Sequence, residues 1–234
     1  DILLNAEVHV PIKLIIAGCA GRMGQAIARC ALQDSVFSIG AAFEAKGHQA
    51  VGQDLGMVLG RPSTLGVKVV DDANAAMGQG DVIIEFTIPD VTIEHAQLAQ
   101  QLRKPMVIGT TGLSEAQRST LEAVSKVIPV VFSPNMSVGV NVFFELAQAA
   151  AERLTTSFND VSIVETHHQH KKDQPSGTAK RLQELIGNIR SRSHLSSDIP
   201  CESKREGEMV GDHTITFSSP SEDVVLTHHA KTRD

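Results

Sequence analysis

Ile12-Lys13-Leu14-Ile15-Ile16-Ala17-Gly18-Cys19-Ala20-Gly21-Arg22-Met23-Gly24 is the stretch that decides the fold. Ile12–Ala17 is a short, mostly apolar run and reads as a buried strand. Glycines at 18, 21 and 24 read as a sharp turn, and residues 22–32, with Met23, Ile27 and Ala31 at helical spacing, read as a helix with one apolar face. A strand passing through such a turn into a helix brings backbone close to a pyrophosphate and points N–H groups and a positive dipole end at it. The spacing is GxxGxxG rather than the commoner GxGxxG. Glu44, 20 residues beyond Gly24 and at the end of a second expected strand, stands where an acid would take the adenosine ribose hydroxyls. Singly, a tight turn and a solvated carboxylate explain these features; together they point to a dinucleotide.

Outward from this stretch the pattern repeats. Further short strands are expected at 39–43, 67–70, 82–86, Met106–Ile108 and Val130–Phe132. Between the last two, Leu113, Gln117, Leu121, Val124 and Ile128 share one helical face, and Ser114 with Gln117 forms a capping box. Short strands that are apolar throughout and alternate with helices predict an α/β domain built on a doubly wound parallel sheet. The second half reads differently. A long helix over 140–154 is followed by alternating strands at 161–166, 199–205, 213–217 and 224–227, with a serine-rich loop at 190–198. This predicts a second, α+β domain with a mixed, mostly antiparallel sheet, one of whose faces is wet or covered by a partner. The boundary is placed at residue 136, giving domains 1–136 and 137–234, with residues 137–139 as a hinge.

Composition limits the function. Of 234 residues, 41% are hydrophobic and 21% charged, the balance of a globular protein. The net charge of −6 disfavours nucleic acid, no apolar run is long enough to span a membrane, and no signal peptide is seen, so a cytoplasmic protein is expected. Cys19, Cys30 and Cys201 have no metal spacing and are expected to be buried and reduced.

Three more loops follow expected strands: Phe86-Thr87, Gly109-Thr110-Thr111-Gly112 and Ser133-Pro134-Asn135-Met136. In open parallel sheets ligands lie beyond the carboxyl ends of the strands, so all three are candidates to flank a cofactor. The most informative segment is Glu165-Thr-His167-His168-Gln-His170-Lys171-Lys172-Asp173-Gln-Pro175-Ser176-Gly177-Thr178-Ala179. It leaves a strand, gathers three histidines and two lysines, and starts a helix for which Ser176 suits the N-cap. A basic loop facing the N–H groups of Gly177 and Thr178, in an acidic protein, implies a small anionic substrate, and His with Lys can donate a proton near neutral pH. Zinc on the histidines is disfavoured by the adjacent lysines, so no metal is expected.

The run E-x-H-H-x-x-K-x-D-x-P-S-G-T-A resembles the signature of the 4-hydroxy-tetrahydrodipicolinate reductase (dihydrodipicolinate reductase) family. A-G-x-x-G-R-M-G, V-I-G-T-T-G and S-x-N-x-S-V-G-V-N resemble the same family in the same order. The resemblance implies a Rossmann-like first domain and the reduction of a cyclic dicarboxylate by NADH or NADPH on the way to diaminopimelate and lysine. It implies His167 and Lys171 as catalytic, with His168, Lys171, Gly177, Thr178 and Arg233 on the substrate. Cofactor contacts are implied at Gly18, Cys19, Ala20, Gly21, Arg22, Met23, Glu44, Ala45, Lys46, Phe86, Gly109, Thr110, Thr111, Ser133, Pro134, Asn135 and Met136. A homotetramer is also implied. Many members carry Arg directly after the acid; here Ala45 and Lys46 stand there, which leaves the choice between NADH and NADPH open. Members continue past the position of Arg233 with a helical segment, so a longer chain is expected. Another two-domain nicotinamide oxidoreductase, such as an amino-acid dehydrogenase, and a non-catalytic dinucleotide sensor remain the alternatives.

Overall fold

The computed structural model describes residues 10–232. The chain divides into two compact units, one ending at Ser133 and one beginning at Pro134.

The first unit alternates strand and helix: β1 (Ile12–Ala17), α1 (Arg22–Ala31), β2 (Phe37–Phe43), α2 (Leu55–Val58), β3 (Val69–Val70), α3 (Ala73–Met77), β4 (Val82–Glu85), α4 (Pro89–Gln101), β5 (Met106–Ile108), α5 (Glu115–Ser125) and β6 (Val130–Phe132). The six strands form one parallel sheet in the order β3-β2-β1-β4-β5-β6. The order reverses beside β1, so the chain winds first one way and then the other. The strand period of two sorts the core: Ile15 and Ala17 pack with Phe43, Met77, Ile83 and Met106 on one face, while Leu14 and Ile16 pack with Ala28, Leu55 and Val69 on the other. Both faces being buried explains why these strands show apolar runs rather than alternation.

The second unit comprises α6 (Val138–Leu154), β7 (Asp160–His167), α7 (Gly177–Arg192), β8 (Cys201–Arg205), β9 (Gly211–Ser218) and β10 (Asp223–Ala230). Its sheet runs β10-β9-β7-β8, with β7 and β8 parallel and the other pairs antiparallel. Both expected sheet classes are therefore present. Val161 and Ile163 of β7 and Ile215 and Phe217 of β9 meet Phe143, Ala147 and Ala151 of α6 and Leu182 and Ile186 of α7. The same inward face continues along β7 to Glu165 and His167, so the period that builds the core also carries two polar residues into it.

Two local expectations need correction. Residues 190–192 belong to the last turn of α7 rather than a loop, because the Arg190 guanidinium caps carbonyls of Phe158 and Asn159 and is buried in doing so. Cys30 is exposed on the outer face of α1, whereas Cys19 is buried.

Candidate active site

In the first unit, Gly18 has φ +61°, a left-handed conformation that favours glycine. A Cβ on Gly24 would lie 2.2 Å from the carbonyl oxygen of Gly18, so the loop and the helix it opens touch backbone to backbone. Gly21 is the N-cap of α1 and offers no side-chain hydrogen bond, which leaves the first-turn N–H groups to a ligand. Cys19 is buried, and burial, with the nearby Glu44 charge, pushes its thiol up to about 12. Glu44 accepts from the Ala20 N–H at 3.0 Å and from the Ala45 N–H at 3.0 Å, placing its carboxylate against the glycine loop. Arg22, Met23, Ala45 and Lys46 are exposed around it.

The strand ends beyond β4 and β5 interlock. Phe86 lies over the α-carbon of Gly109, where a Cβ would come within 1.9 Å of the ring. Thr110 is buried and accepts from the Thr87 N–H at 3.1 Å and the Thr92 hydroxyl at 2.8 Å, while Thr111 is exposed. Beneath them Glu85 takes the Thr87 hydroxyl and sits 2.7 Å from His95 Nδ1. Ser133 donates its N–H to the carbonyl of Ile108. These features fit a dinucleotide cradle: close backbone approach, open helix N–H groups and an acid beside the loop.

The second unit's site follows from register. Across the sheet Glu165 lies between Ser203 of β8 and His213 of β9, and His213 faces His228 of β10, giving one polar row. One pleat on, His167 pairs with Arg205. On its other side is Gly211, where a Cβ would come within 2.9 Å of the His167 ring; only the missing side chain makes room for it. Glu165 accepts the Ser176 N–H at 3.0 Å, and its carboxylate lies 3.4 Å from Arg205, 3.3 Å from His167 Nδ1 and 3.9 Å from His213 Nε2. Burial alone would raise the Glu165 carboxyl, but contacts from His167, Ser176 and Ser203 outweigh it and hold it well below the usual carboxylate range. Burial, reinforced by the neighbouring His167, lowers His213 to about 4, so this ring is neutral at pH 7.

Ser176 caps α7 by accepting the Ala179 N–H at 3.2 Å, and Gly177 is exposed at the helix start. Asn135 reaches the Thr178 hydroxyl at 3.5 Å, so this residue of the 133–136 run meets the start of the helix. Lys171 pairs with Asp173 at 2.7 Å, which holds Asp173 below its ordinary value despite its partial burial. Arg205 donates to the carbonyls of Lys171 (3.3 Å) and Asp173 (2.6 Å), pinning this loop to the end of β8. His168 is half-buried at the loop's beginning, and Arg233 lies outside the described residues. Ligand atoms of Glu165, His167 and His213 lie within 4.8 Å of one another. Arg205 already supplies the positive charge a cation would bring there. Arg205, Gly211 and His213 were not singled out from sequence, because only strand pairing brings them to His167, whereas Glu165, two residues before it on the same face of β7, opens the signature segment but was given no role.

Family profiles described as dihydrodipicolinate reductase, N-terminus and C-terminus, match residues 12–136 and 139–234. This chain belongs to the dihydrodipicolinate reductase family. A 4-hydroxy-tetrahydrodipicolinate reductase of Ralstonia pickettii is 40% identical, the match covering 95% of this chain and 89% of that protein. One of Geobacter metallireducens is 38% identical over 95% and 88%. Among solved structures, a dipicolinate-bound dihydrodipicolinate reductase from Paenisporosarcina sp. TG-14 superposes with a TM-score of 0.77 at 25% identity, covering 96% of this chain and 89% of that one. An amine dehydrogenase from Mycobacterium smegmatis, at 15% identity and TM-score 0.64, shares the fold. Like other dihydrodipicolinate reductases, this chain is an oxidoreductase with a Rossmann-like nucleotide-binding unit, and no helix among the described residues is long and apolar enough to cross a membrane.

Proposed function

We propose that this chain reduces 4-hydroxy-tetrahydrodipicolinate to tetrahydrodipicolinate with NADH or NADPH, a cytoplasmic step of diaminopimelate and lysine biosynthesis. The observation that carries this reading is the meeting of His167, the pinned Lys171 loop and the start of α7 on one side of the second unit's sheet, in a member of this family. Residues 1–136 hold the dinucleotide: Gly18 to Met23 take the pyrophosphate, and Glu44 turns to the ribose hydroxyls. Ala45, Lys46, Phe86, Gly109 to Thr111 and Ser133 to Met136 complete the contacts. Bound there, a reduced nicotinamide supplies the hydride.

Residues 137–234 hold the cyclic dicarboxylate. The N–H groups of Gly177 and Thr178 at the positive end of α7 take one carboxylate, joined by His168, Lys171 and Arg233. Hydride addition to the conjugated ring leaves negative charge, and Lys171 or His167 delivers the proton that quenches it. Carboxylate clamp and proton donor share one loop, so binding energy is used to align the reacting ring. The outward face of β9 and β10, bearing Thr214, Thr216 and Val225, supports assembly into a homotetramer through this sheet.

The test is substrate-dependent loss of reduced-nicotinamide absorbance with freshly generated 4-hydroxy-tetrahydrodipicolinate. Lys171→Ala is expected to lower kcat about 10²–10⁴-fold, to raise substrate KM and to leave the cofactor Kd nearly unchanged. Cofactor binding without any turnover by the unaltered protein would overturn the reading in favour of a sensor.

A further inference from the structure

Glu165 is completely shielded from solvent. Its Oε1 is engaged by the Ser176 N–H and by Arg205, whereas Oε2 faces His167 Nδ1 at 3.3 Å and His213 Nε2 at 3.9 Å. Arg205, at 3.4 Å, balances the charge on the Oε1 side, while Oε2 is left to the rings beside it. His213 is held neutral by its burial, and its Nε2 is also 3.3 Å from the Ser176 hydroxyl, which already accepts the Ala179 N–H and so has its proton to give. His228 lies beyond His213, with ring centroids 6.3 Å apart. Of the two rings, His167 lies nearer Oε2, at 3.3 Å against 3.9 Å for His213. Its Nε2 edge lies over the bare α-carbon of Gly211, where a Cβ would crowd it at 2.9 Å.

We propose that Glu165 is a positioning residue for His167: its buried carboxylate holds the Nδ1–H form of the ring, confines proton exchange to the Nε2 edge that Gly211 keeps open, and ties that ring to the start of α7 through Ser176. The carboxylate touches neither substrate nor cofactor and acts through the ring. Arg205, which contacts the same carboxylate and pins the Lys171 loop, makes Glu165 the link between the two proton-bearing side chains. The mechanistic half of this inference rests on the reductase reading of the same site. The ring's tautomer does not.

The experiment is nitrogen-15 NMR of the histidine rings in the full chain, with His167 assigned by loss of its signals in His167→Gln, alongside kinetics of Glu165→Gln. The unaltered protein is expected to show His167 protonated at Nδ1 above neutral pH. Glu165→Gln keeps an acceptor for the Ser176 N–H and for Arg205 but loses the ion pair with Arg205, so the fold is expected to persist with a modestly lowered melting temperature. Its His167 signals should move toward the mixed tautomers of a free imidazole, and kcat should fall about 10–100-fold with substrate KM and cofactor Kd within about twofold. Glu165→Asp, which retains charge, should recover part of kcat. An Nε2–H tautomer in the unaltered protein overturns the proposal even if Glu165→Gln fails to fold. So does a Glu165→Gln protein with unchanged His167 signals and kcat. Absence of substrate-dependent turnover in the unaltered protein would instead remove the reductase reading and leave the ring measurement to decide the positioning role.

Discussion

Among the described residues, each unit buries one carboxylate completely, Glu85 in the first and Glu165 in the second, and the two are built to opposite ends. Glu85, at the end of β4, is closed in: it takes the Thr87 hydroxyl, meets His95 Nδ1 at 2.7 Å and lies 3.3 Å from the Thr92 hydroxyl, which gives its proton to Thr110 at 2.8 Å. Glu165 is more open: Oε1 is engaged by the Ser176 N–H and Arg205, and Oε2 faces His167 Nδ1 at 3.3 Å and His213 Nε2 at 3.9 Å. A saturated network fixes shape, here that of the loop bearing Gly109 to Thr111. An unsaturated one retains capacity to respond when a ring gains or loses a proton. On the proposed reading, the difference separates a carboxylate that supports a binding loop from one that serves proton traffic.

Removing the closed centre should therefore cost stability first. Glu85→Ala strands His95 and the Thr87 hydroxyl, and a loss of about 1–3 kcal/mol for each stranded group is expected in urea unfolding, with cofactor binding weakened as Thr110 loosens. A Glu85→Ala protein of ordinary stability with lost turnover would reverse the comparison. The next effect belongs to the open centre and to pH. Because His213 sits near 4 in the folded protein and at about 6.5 when unfolded, the unfolded chain binds the extra proton between these values. Stability from this group is complete above about pH 6.5 and drains away as pH falls toward 4, by about 3 kcal/mol in all. His213→Gln should flatten the fall in melting temperature across that window; an unchanged slope would mean that the ring titrates normally.

The sheets were legible for a simple reason: apolar runs and alternation are local, and both report directly on how many faces of a strand are covered. The glycine loop and the Ser176 cap were legible for the same reason, since a turn or a cap is completed within a few residues. The partners of His167 were not. Gly211 and Arg205 reach it only through the pairing of β7 with β9 and β8, and His213 stands 48 residues from Glu165. Their types gave no warning, because a glycine, an arginine and a histidine in alternating strands read as surface. The Glu85 network escaped notice likewise: Glu85 ends an apolar run, His95 and Thr92 lie on α4, and Thr110 follows β5.

The smallest effect is expected at the exposed rim of the first unit, away from both carboxylates. Lys46 is exposed two residues beyond Glu44, where on the proposed reading its charge would offset repulsion of a 2′-phosphate. Lys46→Ala should weaken NADPH binding by about 0.5–1 kcal/mol and NADH binding less, as titrations with the two cofactors would read. Equal changes would place its side chain away from the ribose.

The hold of Arg205 on the loop has a consequence for how that loop tolerates change. Its bonds run to the backbone carbonyls of Lys171 and Asp173, not to their side chains, and every residue type carries a carbonyl. The clamp is thus indifferent to what the loop is made of. Side chains at 169, 170 and 172 are free to be exchanged, by drift or by design, while the path of the chain stays put. Position 171 becomes a socket of fixed location into which different chemical groups can be set and compared.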